Sequence, residues 1–301
     1  MANSMTAQTE SRPSVSPYLG MTAGLVTIST AAIAIRFAQE DAPSLSIAAW
    51  RLAFALLLLT PIVLTRRHDE LGQLTRSEWV RAVVSGVLLA IHFATWISSL
   101  EYTSVAASAV LVATTPIFVG LLSLVFTHEP VSRTMLAGIL VAFVGSCIIG
   151  LGSVGGGSNP LLGDLLAVVG AACAAGYMMI GRTLRRKLSL LTYIFIVYGV
   201  AAIVMLAVAL LGRQPMGGFA PATYGWCLYL AAGPQLIGHT SFNWALRYLS
   251  AAYVTVTLLS EPIGSSLLAW LLLREPPKPL EILGGVPILV GIAIASRAER
   301  T

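Results

Sequence analysis

SVAASAVLVATTPIFVGLLSLVFTHEP, residues 104–130, and SAAYVTVTLLSEPIGSSLLAWLLLREPP, residues 250–277, lie in register at a separation of 146 residues. Extended to 98–145 over 244–291, the register holds without a gap, and 14 of 48 positions are identical. The identities pair Tyr102 with Tyr248, Ser104 with Ser250, and Pro116 with Pro262. They continue with Glu129-Pro130 over Glu275-Pro276, Gly138 over Gly284, and Gly145 over Gly291. Shared apolar bias does not select prolines and glycines, so the chain reads as an internal repeat. Gly20 and Gly163 extend the correspondence at a slightly different offset.

Composition says where such a chain resides. Of 301 residues, 56% are hydrophobic and 10% charged, with a mean hydropathy of +0.83. Soluble domains carry about 25% charged residues, so lipid must cover most of this surface. A bilayer core about 30 Å thick takes roughly 20 apolar residues per helix. Ten such stretches are expected, at 18–38, 44–65, 80–100, 103–126, 134–151, 161–181, 189–211, 223–247, 250–273 and 280–297. They are continuously apolar, which excludes the alternating pattern of a barrel. The expected fold is therefore all-α and integral to the membrane. It has two five-helix repeats, 18–151 and 161–298, joined by a Gly-rich outer linker at 152–160 and preceded by a polar, disordered cytoplasmic tail at 1–17. Five is odd, so the second repeat enters from the opposite face, the inverted arrangement of secondary transporters around a central cavity.

The formal charge of +5 follows topology and does not call for nucleic acid. With the N-terminus inside, cytoplasmic segments hold Arg12, Arg66, Arg67, Arg76, Arg81, Arg133, Arg182, Arg185, Arg186, Lys187, Arg247, Arg297 and Arg300. The opposite side holds Arg213, Arg274 and Lys278, thirteen against three. This bias places both termini in the cytoplasm. Cys147, Cys173 and Cys227 fall in apolar stretches without metal-ligand spacing. Gly150-Leu-Gly152-Ser-Val-Gly155 matches G-x-G-x-x-G but follows an apolar helix, so it reads as linker.

The paired stretches are similar to the drug/metabolite transporter superfamily, in particular its EamA-type members. Each is followed by a glycine-spaced span, AGILVAFVG (137–145) and LGGVPILVG (283–291), and LLGDLLAVVGAACAAGYMMIGRTLRR (161–186) resembles the start of that family's second repeat. The resemblance covers about 18–297. It implies ten helices around a cavity, amino acids or other small metabolites as cargo, and export across a bacterial inner membrane. The small multidrug branch carries a glutamate in its first span. LGMTAGLVTISTAAIAIRFA (19–38) has none, which argues against cation efflux by that route.

Candidate site residues follow from polarity inside apolar spans. Pro116 and Pro262, at matched span centres, each remove an amide donor and obstruct the carbonyl four residues earlier, at Val112 and Leu258. Matched interrupted helices point to a binding site; a packing kink is the alternative. Glu261 lies near the midplane, where a carboxylate is costly and faces a cavity or a partner. It reads as substrate ligand and proton-coupling candidate, or as a protonated acid bonded to a neighbouring helix. Tyr253, Thr257 and Glu261 share one helical face, continued by Gly264 and Ser265. Arg51 pairs with Glu261, holds a substrate carboxylate or anchors at the outer rim; Arg36 reads as interfacial.

His92, Trp96 and Ser99 share a face in the third span, and His239 and Asn243, with Trp244 adjacent, share one in the eighth. They line a cavity or bond between helices, and either imidazole could relay protons. Thr115 beside Pro116 and Tyr177 in the sixth span complete the substrate-binding candidates. Glu129-Pro130 and Glu275-Pro276 read as helix stops, and Trp79 and Trp226 as interfacial anchors.

No Walker motif, HExxH or GxSxG occurs, so neither nucleotide-driven transport nor an enzyme is expected, and no cofactor or metal. The expected function is a secondary transporter exporting amino acids or related metabolites by alternating access. The alternatives are a facilitative or proton-coupled carrier of nucleotide-linked or phosphorylated solutes or drugs, and, more distantly, a membrane-embedded enzyme. Its partners are the solute and bilayer lipid, and a monomer is compatible with the sequence.

Overall fold

The computed structural model describes residues 15–103, 105–126, 131–151, 158–273 and 279–300. Residues 1–14 of the tail, 152–157 of the linker, Glu129, Pro130, Glu275 and Pro276 lie outside them, as do Arg12, Ser104, Arg274, Lys278 and the side chain of Ser265.

Among the described residues every regular element is helical. The first apolar stretch forms α1 (Pro17–Ile28) and α2 (Ala31–Gln39), the second α3 (Ser44–Arg66), followed by the short α4 (His68–Gly72) and the long α5 (Arg76–Tyr102). Then come α6 (Val105–Val112), α7 (Thr115–Phe126), α8 (Arg133–Leu151), α9 (Pro160–Arg185) and α10 (Leu190–Leu211). The eighth stretch is α11 (Pro221–Leu230), a π-helical segment (Ala231–His239) and α12 (Thr240–Ala245). It is followed by α13 (Ala251–Leu258), α14 (Glu261–Leu273) and α15 (Pro279–Arg300).

Among the described residues, seven helical stretches are long and apolar enough to cross a bilayer: Pro17–Gln39, Ser44–Arg66, Arg76–Tyr102, Ala107–Phe126, Pro160–Arg185, Leu190–Leu211 and Ile282–Glu299. A shorter apolar helix covers Arg133–Ile149. The stretches expected at 223–247 and 250–273 are helical but segmented, the first by the π turn and the second at Leu259–Ser260. Large apolar side chains stand on the outside, Leu211 at 85% and Leu161 at 82% exposure. An apolar outer surface this extensive is stable in lipid and not in water, and the chain is a multi-span membrane protein.

Three stretches break in mid-course, for chemical reasons that differ in detail. Between α6 and α7, Pro116 cannot donate to Val112, and the Thr115 hydroxyl donates to the Val112 carbonyl in its place at 2.7 Å. Between α13 and α14, ahead of Pro262, the Ser260 hydroxyl donates to the Thr257 carbonyl at 2.5 Å. Between α1 and α2 there is no proline. There the Thr27 and Thr30 hydroxyls back-bond to the Gly24 and Thr27 carbonyls at 2.8 and 2.6 Å, competing with the helical ladder. The bounds of α13 are those of α6 shifted by 146 residues, and α14 starts at the same shift from α7.

Packing pairs α5 with α9, α3 with α10, α7 with α13, α1 with the π segment and α12, and α8 with α15. The α8–α15 contact is backbone on backbone. A methyl group added at Gly145 would lie 2.5 Å from the Gly284 carbonyl oxygen, and one at Gly138 would lie 2.7 Å from that of Gly291. The converse additions, at Gly284 and Gly291, would each meet the opposing carbonyl at 2.5 Å. The lower-numbered glycine of one helix faces the higher-numbered one of the other, so the two run antiparallel. Small residues are what allow membrane helices to approach this closely.

Several of the few carboxylates cap neighbouring helices. Asp41 accepts from Ala220 N at 2.7 Å and from the Thr223 hydroxyl at 2.8 Å, at the start of α11. Glu70 accepts from Ser189 N at 2.7 Å and from Thr192 Oγ1 at 2.8 Å, at the start of α10. Partial burial pushes the Glu70 carboxyl up, but the Ser189 and Thr192 hydrogen bonds and nearby Arg67 outweigh it, so its pKa is lowered. A lowered folded-state pKa means this cap stabilises above the unfolded carboxylate value and is lost as pH falls through the folded one. Detergent-solubilised wild type is therefore expected to lose more thermal stability between pH 7 and pH 3 than Glu70→Gln. Equal losses would show that the cap carries no pH dependence.

Candidate functional site

Arg51 enters from α3, fully helical and 1% exposed. Burial to this depth rules out anchoring at the outer rim, and an intramembrane charge then needs a cavity or a partner. Its Nε donates to Gln235 Oε1 at 3.0 Å, and its guanidinium carbon lies 4.2 Å from the Phe93 ring centroid on α5. Nη1 and Nη2 are buried and have no hydrogen-bond partner among the described residues. Glu261, in the first turn of α14 just past the helix break, is in electrostatic contact with Arg51.

The π segment explains how Gln235 reaches Arg51. Pro234 lies inside it, and the Thr240 hydroxyl donates to the Gln235 carbonyl at 3.2 Å, five residues back. A widened turn of this kind re-aims side chains and recurs at functional sites. His239, at the end of the same segment, places its ring edge-on to Phe93 at 5.2 Å and lies 6.5 Å from His92. His92 donates from Nδ1 to the Gly170 carbonyl at 2.9 Å and stacks on Trp96 with an interplanar angle of 3°. The side chains of Arg51, Phe93, His92, Trp96, Gln235 and His239 thus form one cluster, with Glu261 in electrostatic contact.

A second polar group adjoins it. The Tyr177 hydroxyl donates to Asn243 Oδ1 at 2.6 Å, Asn243 Nδ2 donates to the Tyr198 hydroxyl at 3.1 Å, and Tyr198 meets the Thr240 hydroxyl at 3.2 Å. Since Thr240 donates onward to Gln235 O, the donors run in one direction from α9 to the π segment. A chain ending on a backbone carbonyl ties spans together.

Other candidates lie apart from this cluster. Ser99 bonds to Ser108 at 2.6 Å, and Thr115 reaches the Ala171 carbonyl at 3.4 Å, both between helices. Trp244 covers Gly20 on α1, where an added methyl would stand 2.5 Å from its ring. Tyr253 packs edge-on against Tyr18, and Thr257 back-bonds to the Tyr253 carbonyl at 3.0 Å. Arg36 points to the Thr103 carbonyl at 3.5 Å. Four contributors escaped the sequence reading: Phe93, Tyr198, Gln235 and Thr240. Gln235 carried a signal, an amide beside a proline within an apolar span; Tyr198 and Phe93 read as ordinary packing.

The model of the EamA-like transporter family matches the chain twice, over residues 15–151 and 161–297. The chain belongs to the EamA-like transporter family. Membership makes it a secondary transporter of small organic solutes and not an enzyme. The pseudopaline exporter CntI of Pseudomonas aeruginosa is 27% identical over 268 residues, 88% of this chain and 90% of that one. A probable terminal-alkyne amino-acid exporter of Streptantibioticus cattleyicolor is 30% identical over 198 residues, 63% of each. The transporter YyaM of Bacillus subtilis is 24% identical over 264 residues, 85% of each. One solved crystal structure superposes with a TM-score of 0.77 at 17% identity, over 95% of this chain and 99% of that one, a likeness of fold.

Proposed function

We propose that the EamA-like chain exports amino acids or related small metabolites by alternating access, coupled to protons through Glu261. The observation that carries this reading is where the cluster's members come from. Arg51 and His92 belong to α3 and α5, while Gln235, His239 and Glu261 belong to the π segment and α14. A site divided between the two halves of a chain changes its exposure whenever one half rocks against the other. Of the residues named from sequence, Arg51, His92, Trp96, His239 and Glu261 are assigned to the solute site, with Pro116 and Pro262 supplying the breaks that open it.

The same reading has ten spans in two inverted halves of five, both termini in the cytoplasm and the bacterial inner membrane as location. Its supports are the 146-residue register shared by α6 and α13, the antiparallel glycine contact of α8 with α15, and the thirteen-to-three charge asymmetry. One relative named as a pseudopaline exporter favours export, and one named as a probable terminal-alkyne amino-acid exporter favours the cargo class. A phosphorylated or nucleotide-linked cargo would call for several cations, and Arg51 is the one in this cluster.

Flux across proteoliposomes tests the reading directly, with a panel of amino acids, polyamines, nucleosides and organic anions, with and without a pH gradient. Amino-acid flux driven by the gradient is expected. No flux of any amino acid would remove the cargo assignment, and flux indifferent to the gradient would remove proton coupling.

A further inference from the structure

Buried polar groups in native proteins are almost always hydrogen-bonded, so each exception needs a reason. Five buried side-chain atoms make no hydrogen bond of good geometry among the described residues: Arg51 Nη1 and Nη2, Gln235 Nε2 (near the Tyr198 hydroxyl but not well placed to bond it), His239 Nδ1 and Gln39 Oε1. Gln39 belongs to the end of α2. The other four belong to one cluster, since Gln235 bonds Arg51 and both Arg51 and His239 pack on Phe93.

The chemistry of the four is one-sided. Both guanidinium nitrogens and the amide nitrogen are obligate donors, and the imidazole nitrogen donates in one of its tautomers. Acceptors are what the cluster lacks. Glu261 supplies opposite charge nearby but no oxygen to the guanidinium fork, whose terminal nitrogens stay unpaired. The Phe93 ring covers the guanidinium at 4.2 Å and Gln235 holds its Nε, so the plane of the fork is fixed and its Nη donors remain for a ligand. Two coplanar donors on a fixed cation match two coplanar oxygens on an anion.

We propose that Arg51, with Gln235 and His239, is a carboxylate clamp, and that the cargo is recognised by its carboxylate rather than by its amine. This rests on the reading of the chain as a carrier of small organic solutes, and it narrows that class to carboxylates of low charge, 2-oxo acids included. The π turn is then a specificity device, because it sets Gln235 and His239 against the fork.

The test uses purified full-length protein in detergent and reads its thermal stabilisation by leucine, phenylalanine and their 2-oxo acids against leucinamide and phenylalaninamide. Wild type is expected to respond to the acids at concentrations at least tenfold lower than to the amides. Arg51→Lys keeps the charge but not the fork, and the acids should then act at least tenfold more weakly. Gln235→Glu places a resident carboxylate against Arg51. Its own unfolding temperature should rise and the acid response should vanish, which keeps the test valid where Arg51→Lys fails to fold. Amides matching acids, no acid response in wild type, or an unchanged response in Gln235→Glu would each overturn the clamp. Flux of amides as fast as acids would overturn the clamp and leave the carrier; acid-selective stabilisation without any flux would keep the clamp and remove amino-acid transport.

Discussion

Glu261→Gln is expected to abolish acid-driven flux while leaving downhill exchange of the same solute. Glutamine keeps the shape and hydrogen-bonding capacity of the side chain but cannot take up or release a proton. The position suits such a role. It opens α14 immediately after the turn at Leu259–Ser260, and the Ser29 hydroxyl, at the matching break of the first stretch, lies 3.4 Å from its backbone carbonyl. Its carboxyl is set electrostatically against Arg51. The loss should be large, at least tenfold in uptake under an imposed pH gradient, because a coupling group acts in every cycle. Uptake that still follows the gradient in Glu261→Gln would remove this residue from the coupling mechanism. Retained detergent stability of the variant separates lost coupling from lost fold.

Gly145→Leu is expected to be the most damaging single substitution for folding. Its first side-chain carbon would lie 2.5 Å from the Gly284 carbonyl and 2.8 Å from Ile288 Cγ1. The obstacle includes backbone, which has no alternative rotamer, so α8 and α15 must separate along their length. Overpacking a tight core costs about 1–3 kcal/mol even where side chains can give way, and separating two helices also forfeits the contacts beside the glycine. Gly225→Ala is the control, since nothing lies within 4 Å of a methyl at that position. Unfolding temperatures and yields in detergent compare the two. A Gly145→Leu protein as stable as Gly225→Ala would show that the helices do not rely on this approach.

What the sequence discloses depends on whether the signal is local. The helical membrane class follows from apolar runs alone, and the α6–α7 and α13–α14 breaks lie where prolines deprive carbonyls of donors. The first break, between Ile28 and Ala31, has no proline and rests on threonine hydroxyls, a weaker mark. The π segment is harder still, because a five-residue register looks like any other stretch containing proline until its neighbours are in place. Gln235 and His239 both lie in it, and only the packed neighbours show that the widened turn aims Gln235 at Arg51. Arg51 stands about a third of the way along its span in sequence, but the sequence does not say which way the side chain turns; burial beneath Phe93 decides it. Ser99, Thr115 and Trp244 show the opposite difficulty, since a polar or aromatic side chain facing another helix looks, in sequence, like one facing a solute.

The glycine contact between α8 and α15 has a consequence for how such carriers diversify. The solute site proposed above draws on side chains of α3, α5 and the π turn, whereas the closest approach of α8 and α15 is made by main-chain atoms at glycines, with Ala142, Ile149 and Ile288 packed around it. On the proposed reading, substitutions at that site can alter cargo preference without touching the glycine contact of α8 with α15.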